Sequence, residues 1–168
     1  MVLGMDAGVS NDSFGLVGVT RNPNRPSDVA VRYVQVWTPP QGGQIDFSGP
    51  EAAVRDLVGR FNVVQLAYDP YQLVSLAQRL MAEGVVWCKS FPQGGQRLEA
   101  DKQLLDLIIG KRLAHDGNEQ LRAHIQNANK KPDVETRKLR IIKREASLKI
   151  DLCICLSQAS YEILRLAV

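Results

Sequence analysis

The sequence predicts an α/β domain built on a mixed sheet, an antiparallel meander of three strands followed by parallel strands, flanked by helices. Two observations predict it. Three apolar runs, Val2 to Met5, Phe14 to Thr20 and Val29 to Trp37, follow one another closely with turn residues between them, Gly8 to Asn11 and then Asn-Pro-Asn-Arg-Pro at 22 to 26. Short runs broken by such turn chemistry read as hairpin-connected strands. Beyond residue 50 the pattern alternates strand, helix, strand, helix, an order that favours parallel strands joined by crossover helices.

Each later element has its own signal. After the Gly, Pro and Gln-rich loop from Pro39 to Pro50, Val54, Leu57, Val58 and Phe61 recur at helical spacing. Val63 to Tyr68 is a fourth strand ending at Asp69-Pro70, and Leu73, Leu76, Ala77 and Leu80 mark a helix closed by Gly84. Val85 to Ser90 is the fifth strand. A helix over Leu98 to Leu113 is expected to bury Leu104, Leu105, Ile108 and Ile109, and a shorter one runs from Glu119 to Ala128. Leu139 to Ile142 suits a strand or ribbon, and Ile150 to Ala167 a helix whose wide apolar stripe is buried or faces a partner. The pentapeptide PQGGQ occurs at 40 to 44 and again at 92 to 96, both times in an expected surface loop.

With 168 residues, 45% apolar and 23% charged, the chain has the composition of one soluble domain with a real core. No stretch approaches the roughly 20 apolar residues a spanning helix needs, so no membrane partner is expected. Cys88, Cys153 and Cys155 are odd in number and unpaired in spacing, which points to a reducing, intracellular compartment. Neither GxxxxGK[ST] nor GxGxxG is present, leaving no recognisable nucleotide-binding loop.

Charge is unevenly placed. The net charge is +3, yet Lys130 to Lys149 holds eight basic residues, Lys130, Lys131, Arg137, Lys138, Arg140, Lys143, Arg144 and Lys149, against three acids. A clustered basic strip on a nearly neutral remainder is the footprint of a phosphate-backbone contact, with a solvated charged loop as the alternative. Of the strip, Lys138, Arg140, Lys143, Arg144 and Lys149 are the candidate DNA-binding residues.

Three aspartates stand where chemistry is done. Asp6 closes the first strand, Asp69 the fourth, and Asp151 opens the last helix. If strands one and four are parallel neighbours, Asp6 and Asp69 end side by side at the carboxyl edge, where open α/β sheets place their sites. Asp6 could instead pin its own turn, and Asp151 could simply favour a helix N-terminus. The run Leu148 to Leu156 is otherwise apolar, however, and an unpaired carboxylate in it would be costly. Three convergent carboxylates repel one another unless cations neutralise them, and hard divalent ions with oxygen ligands are the natural partners.

GMDAGVSND, LAYDP and KIDLCICLSQA, in that order and at those separations, resemble the nuclease domain of the large terminase subunit of tailed bacteriophages, a member of the RNase H-like superfamily. FPQG at 91 to 94, LAHDGNEQLRAHIQNA at 113 to 128 and KPD at 131 to 133 resemble the segment joining its second and third acidic motifs, so the likeness spans nearly the whole chain. The resemblance implies an RNase H-like fold and a metal-dependent endonuclease that cuts concatemeric double-stranded DNA at the start and end of genome packaging. It implies two Mg²⁺ or Mn²⁺ ions on Asp6, Asp69 and Asp151, with Asp6 bridging, and a further acid at Asp12, whose setting after Ser10-Asn11 also suits a turn or cap. It further implies partners in an ATPase motor domain, a small terminase subunit and a portal, and work in the host cytoplasm during virion assembly. The motor precedes the nuclease in that family, whereas this chain begins at the first motif. Residues 1–168 are therefore expected to be one nuclease domain without the motor, monomeric in isolation.

The remaining candidates read as structural. His115 and His124 lack ligand partners at metal-binding spacing, although His115 could edge the site; Trp37, Trp87 and Tyr71 read as core or turn residues. Three rivals remain: a Holliday-junction resolvase or transposase core on the same fold, a lobe of an actin-like kinase suggested by Asp-Ala-Gly at 6 to 8, and a non-catalytic nucleic-acid-binding module built on the basic strip.

Overall fold

A computed structural model describes residues 1–8 and 13–167. Strands β1 (Val2–Ala7), β2 (Phe14–Asn22) and β3 (Arg25–Trp37) form the meander, followed by α1 (Ser48–Arg60), β4 (Gln65–Tyr68), α2 (Pro70–Ala82), β5 (Cys88–Ser90) and α3 (Gly95–Ile109). Then come β6 (Leu113–Ala114), α4 (Glu119–Gln126), the strands β7 (Ala128–Pro132) and β8 (Leu139–Lys143), and α5 (Asp151–Arg165). The main sheet runs β5-β4-β1-β2-β3-β6, with β1–β2 and β2–β3 antiparallel and the β1–β4, β4–β5 and β3–β6 pairs parallel. This mixed sheet with flanking helices is the RNase H-like arrangement.

Alternation along the strands divides the core into two layers, since successive side chains point to opposite faces. Leu3, Met5, Phe14, Leu16, Leu66 and Tyr68 pack against Val54 and Leu57 of α1 and Leu73, Leu76 and Leu80 of α2. Val2, Val17, Val19 and Val29 face the other way, against α5 with Leu104 and Leu107 of α3 and Leu121 of α4. Helix α5 is buried from Asp151 to Ile163, sandwiched between the sheet and the outer helices. Its wide apolar stripe thus has its partner inside the domain. Two glycines let it lie close: a Cβ on Gly4 would stand 2.1 Å from the Cys155 carbonyl oxygen, and one on Gly15 would stand 2.9 Å from Cys155 Sγ.

Several sequence expectations are corrected. Helix α3 does not bury Ile108 and Ile109, which are 38% and 68% exposed. Its inner face is Arg97, Ala100, Asp101, Leu104 and Leu107. Arg97 and Asp101 occupy core positions as an ion pair, Nε lying 2.9 Å from both carboxylate oxygens, and this rotates the helix away from its most apolar stripe. The strand β6 was not expected; it exists because the open edge of β3 offers pairing partners at Val29 and Ala30. Residues 128–132 turn out of α4 to form β7, which pairs with β8 from Ala128–Lys143 to Pro132–Leu139, so the basic strip is a hairpin. Trp87 and Tyr71 are 65% and 73% exposed, at the approach to β5 and in the first turn of α2. Among the described residues no helix is long and apolar enough to cross a membrane.

Candidate metal centre

Register brings the three aspartates to one corner. Strands β1 and β4 pair up to Met5–Tyr68, so Asp6 and Asp69 are the next residues of adjacent parallel strands, and Asp69 N–H donates to the Met5 carbonyl at 3.4 Å. Asp6 shares the sheet face of Val2 and Gly4, and Asp69 that of Gln65 and Ala67. Both faces look toward α5, where Gln65 donates to Glu162 at 2.9 Å. Asp6 pairs with Gly15, and a Cβ built on Gly15 would lie 3.3 Å from the Asp151 carbonyl carbon. The missing side chain of Gly15 is therefore the space that admits the first turn of α5. Asp151 itself is buried, only 4% exposed.

Each carboxylate is held by local chemistry. Asp69 is the N-cap of α2: Oδ1 accepts from Tyr71 N–H at 2.9 Å, and Pro70 supplies a first helical residue that needs no hydrogen-bond partner. Its Oδ2 accepts from Gln93 Nε2 at 2.8 Å. Ser13 Oγ donates to Asp151 Oδ2. Helix α5 has no side-chain cap at Ile150; instead the Leu152 N–H donates to His124 Nδ1 at 3.1 Å, a cap supplied by α4. Under the site the Cys155 thiol lies against the Asp6 backbone, and burial, reinforced by the charges of Asp6 and Asp151, holds its pKa well above the ordinary thiol value. It stays a neutral thiol.

His124 must be neutral to accept from Leu152. Burial lowers its pKa below the ordinary 6.5; the Asp151 charge opposes this and Lys149 adds to it. The unfolded chain therefore takes up a proton before the folded protein does, so the His124 contribution is complete above pH 6.5 and is lost as pH falls through the lowered folded value. Melting scans in EDTA are expected to show the wild type losing more stability between about pH 7.5 and pH 5 than His124→Gln, whose amide oxygen accepts without titrating.

The donor set suits a hard divalent cation, being carboxylate oxygen throughout. Among the described residues no three His, Cys, Asp or Glu side chains are spaced as a ready cage. Asp69 is engaged by Tyr71 N–H and Gln93 and Asp151 by Ser13, so the backbone sets the corner and these donors hold the carboxylates within it. Asp12 lies outside the described residues. The sequence reading missed Ser13, Gln93 and the capping role of His124; the only signal for Gln93 was its place in the second PQGGQ and in FPQG.

The other candidates are distributed as follows. Arg140 and Lys143 lie on β8, Lys138 just before it, Arg144 just after it and Lys149 two residues before Asp151. Lys138 pairs with Glu99 at 2.7 Å, Arg140 donates to the Gln93 carbonyl, and Arg144 donates to that of Gln126. His115 is not at the corner. It follows β6 and aligns with Val31 and thus with Val2, about 13 Å back along the strand direction from Asp6 at roughly 3.3 Å per residue. It lines a separate cleft of about 500 Å³ with Ile108, Leu121 and Arg122.

Comparison with known proteins agrees with this layout. The "Gene 13 protein" of Mycobacterium phage D29 is 28% identical over 172 residues, covering 92% of this chain and 28% of the relative. The chain thus spans little more than a quarter of that relative's length. The crystal structure of the HK97 bacteriophage large terminase superposes with a TM-score of 0.81 at 19% identity, over 95% of this chain and 38% of that one. The large terminase nuclease domain from bacteriophage SPP1, solved with bound Mn, gives a TM-score of 0.64 at 13% identity, over 94% and 82% of the two chains. A model of the terminase large subunit endonuclease domain matches residues 29–165. With a sheet edge that collects three acids and a match over most of its length, the chain belongs to the terminase large subunit, endonuclease domain, family.

Proposed function

We propose that this domain cleaves double-stranded DNA by metal-dependent phosphodiester hydrolysis, with little sequence preference, at the start and end of packaging a concatemeric phage genome. The observation that carries the reading is the placement of Asp6, Asp69 and Asp151 at one sheet corner by the β1–β4 register and by Gly15. Asp6 lies between the other two, which suits it to bridge two Mg²⁺ or Mn²⁺ ions while Asp69 and Asp151 each complete one. Two such ions, when bound, supply a water of lowered pKa and neutralise the departing 3′ oxygen. The protein's own part is to hold three carboxylates against their mutual repulsion, through Tyr71 N–H, Gln93 and Ser13, and to seat the DNA. The β7–β8 hairpin, with Arg140, Lys143 and Arg144, and Lys149 on the path to Asp151 would take the phosphate backbone. In the whole protein an ATPase motor, a small terminase subunit and a portal would deliver the DNA, in the host cytoplasm during virion assembly.

Digestion of supercoiled plasmid tests the activity: nicking and linearisation are expected with Mg²⁺ or Mn²⁺, and robust cutting in excess EDTA would overturn the reading. The same preparations test the hairpin. Affinity should fall steeply with salt, and neutralising Lys143, Arg144 and Lys149 together should flatten the log–log salt slope by about 0.9 for each true phosphate contact. An unchanged slope would return the strip to a solvated face.

A further inference from the structure

The second PQGGQ segment is bound into the site. It lies at the entrance to α3, and its two glutamines reach carboxylates of two other elements: Gln93 donates to Asp69 at 2.8 Å and Gln96 to Glu162 at 3.1 Å. Gln93 is itself held from behind. Arg97 Nη1 donates to Gln93 Oε1, which turns the amide so that its NH₂ faces Asp69. Arg97 cannot swing away, because its Nε is shared between both oxygens of the fully buried Asp101. Asp101 in turn accepts from Ser157 Oγ of α5 at 2.6 Å and from Ile141 N–H of β8 at 2.8 Å. The Gln93 backbone is also fixed, its carbonyl accepting from Arg140.

We propose that Gln93, oriented by Arg97, is a positioning residue that presets the Asp69 carboxylate for a divalent cation. The inference rests on the reading of Asp69 as a metal ligand. Asp69 receives one donor on each oxygen, Tyr71 N–H on Oδ1 and Gln93 Nε2 on Oδ2. A carboxylate oxygen has two lone pairs, so each oxygen keeps one for an ion while the group as a whole cannot rotate. Donors behind a ligating carboxylate fix its orientation, and their loss typically costs 10–100-fold in metal affinity. Without Gln93, Asp69 would be held at one oxygen only, and binding an ion would have to include ordering the other.

Mn²⁺ affinity, read from the electron paramagnetic resonance signal of the free ion without DNA, tests this in four proteins: wild type, Gln93→Met, Gln96→Met and Asp69→Asn. Methionine keeps the length of glutamine and removes its hydrogen bonds. Gln96→Met perturbs the same loop but touches Glu162, which retains Gln65 and Lys89. Gln93→Met should weaken Mn²⁺ binding about 10-fold or more at an unchanged metal-free melting temperature, with Gln96→Met within about twofold of wild type. Equal weakening in both glutamine variants would mean that the loop acts only as scaffold, and would overturn the proposal. So would wild-type affinity in Gln93→Met beside lost affinity in Asp69→Asn, a result that leaves the metal reading standing. Wild-type affinity in Asp69→Asn would remove both.

Discussion

Asp6→Asn is expected to reduce metal-dependent DNA cleavage by roughly 100-fold or more, since groups merely behind a ligand already cost 10–100-fold in affinity or activity. The substitution keeps shape and removes charge, so the fold should survive. Asp6 sits between Asp69, its neighbour across the parallel pair, and Asp151, packed behind its antiparallel partner Gly15; in the proposed site its loss would remove the ligand that two ions would share. Asp69→Asn and Asp151→Asn should be comparably inactive. A thermal measurement separates metal loss from other causes. An ion at a hundredfold excess over its dissociation constant stabilises the folded state by about 2.7 kcal/mol, or roughly 5–11 °C for a domain of this size. That rise should shrink in Asp6→Asn. Equal metal-induced shifts in mutant and wild type would place the ions elsewhere, and Asp6 would be a turn residue only.

Gly4→Ala should be the most damaging small substitution in the domain. The added Cβ would lie 2.1 Å from the Cys155 carbonyl oxygen, 2.9 Å from its carbon and 3.1 Å from Ala159 Cβ. The first two are backbone atoms in the middle of a buried helix, so relief requires α5 to move as a body. Overpacking costs about 1–3 kcal/mol where side chains can yield, and a backbone obstacle puts this case at about 3 kcal/mol or more, a fall of roughly 6–12 °C in melting temperature. Since Asp151 rides on α5, cleavage should fall with it. Gly59→Ala is the control: it lies near the end of α1 with nothing within 4 Å of the added Cβ. It should raise stability by up to about 1 kcal/mol, because alanine restricts the unfolded chain. Chemical denaturation of the two variants checks both signs.

The legible parts of the sequence were those written in local pattern. The meander, the strand end at Asp69-Pro70 and the strand-end position of Asp6 follow from alternation and turn residues, all within a few residues. That Asp151 joins them depends on Gly15, remote in sequence; the acidic residue in an apolar run signalled its value, and the glycine signalled nothing. The face of α3 was misread because hydropathy cannot register that Arg97 and Asp101 neutralise each other and go inside, leaving Ile108 and Ile109 out. β6 is only two residues long and has no propensity of its own to announce it. The capping of α5 by His124 spans 28 residues of sequence, beyond any window. Gln93 was visible twice, as a repeat and within the resemblance, but its meaning lies in what it faces.

Burial of α5 from its first residue to Ile163 has a consequence for how the domain fails. Partial openings of a protein release its least packed pieces first, while its most enclosed element opens only with the whole. Asp151 is anchored on that most enclosed element, whereas the basic hairpin is a two-stranded ribbon at the periphery. Fluctuations can therefore loosen the basic hairpin while the acidic corner stays assembled, and the corner itself comes apart only when the molecule does. Opening of the hairpin is graded and reversible; loss of the acidic corner is all or none.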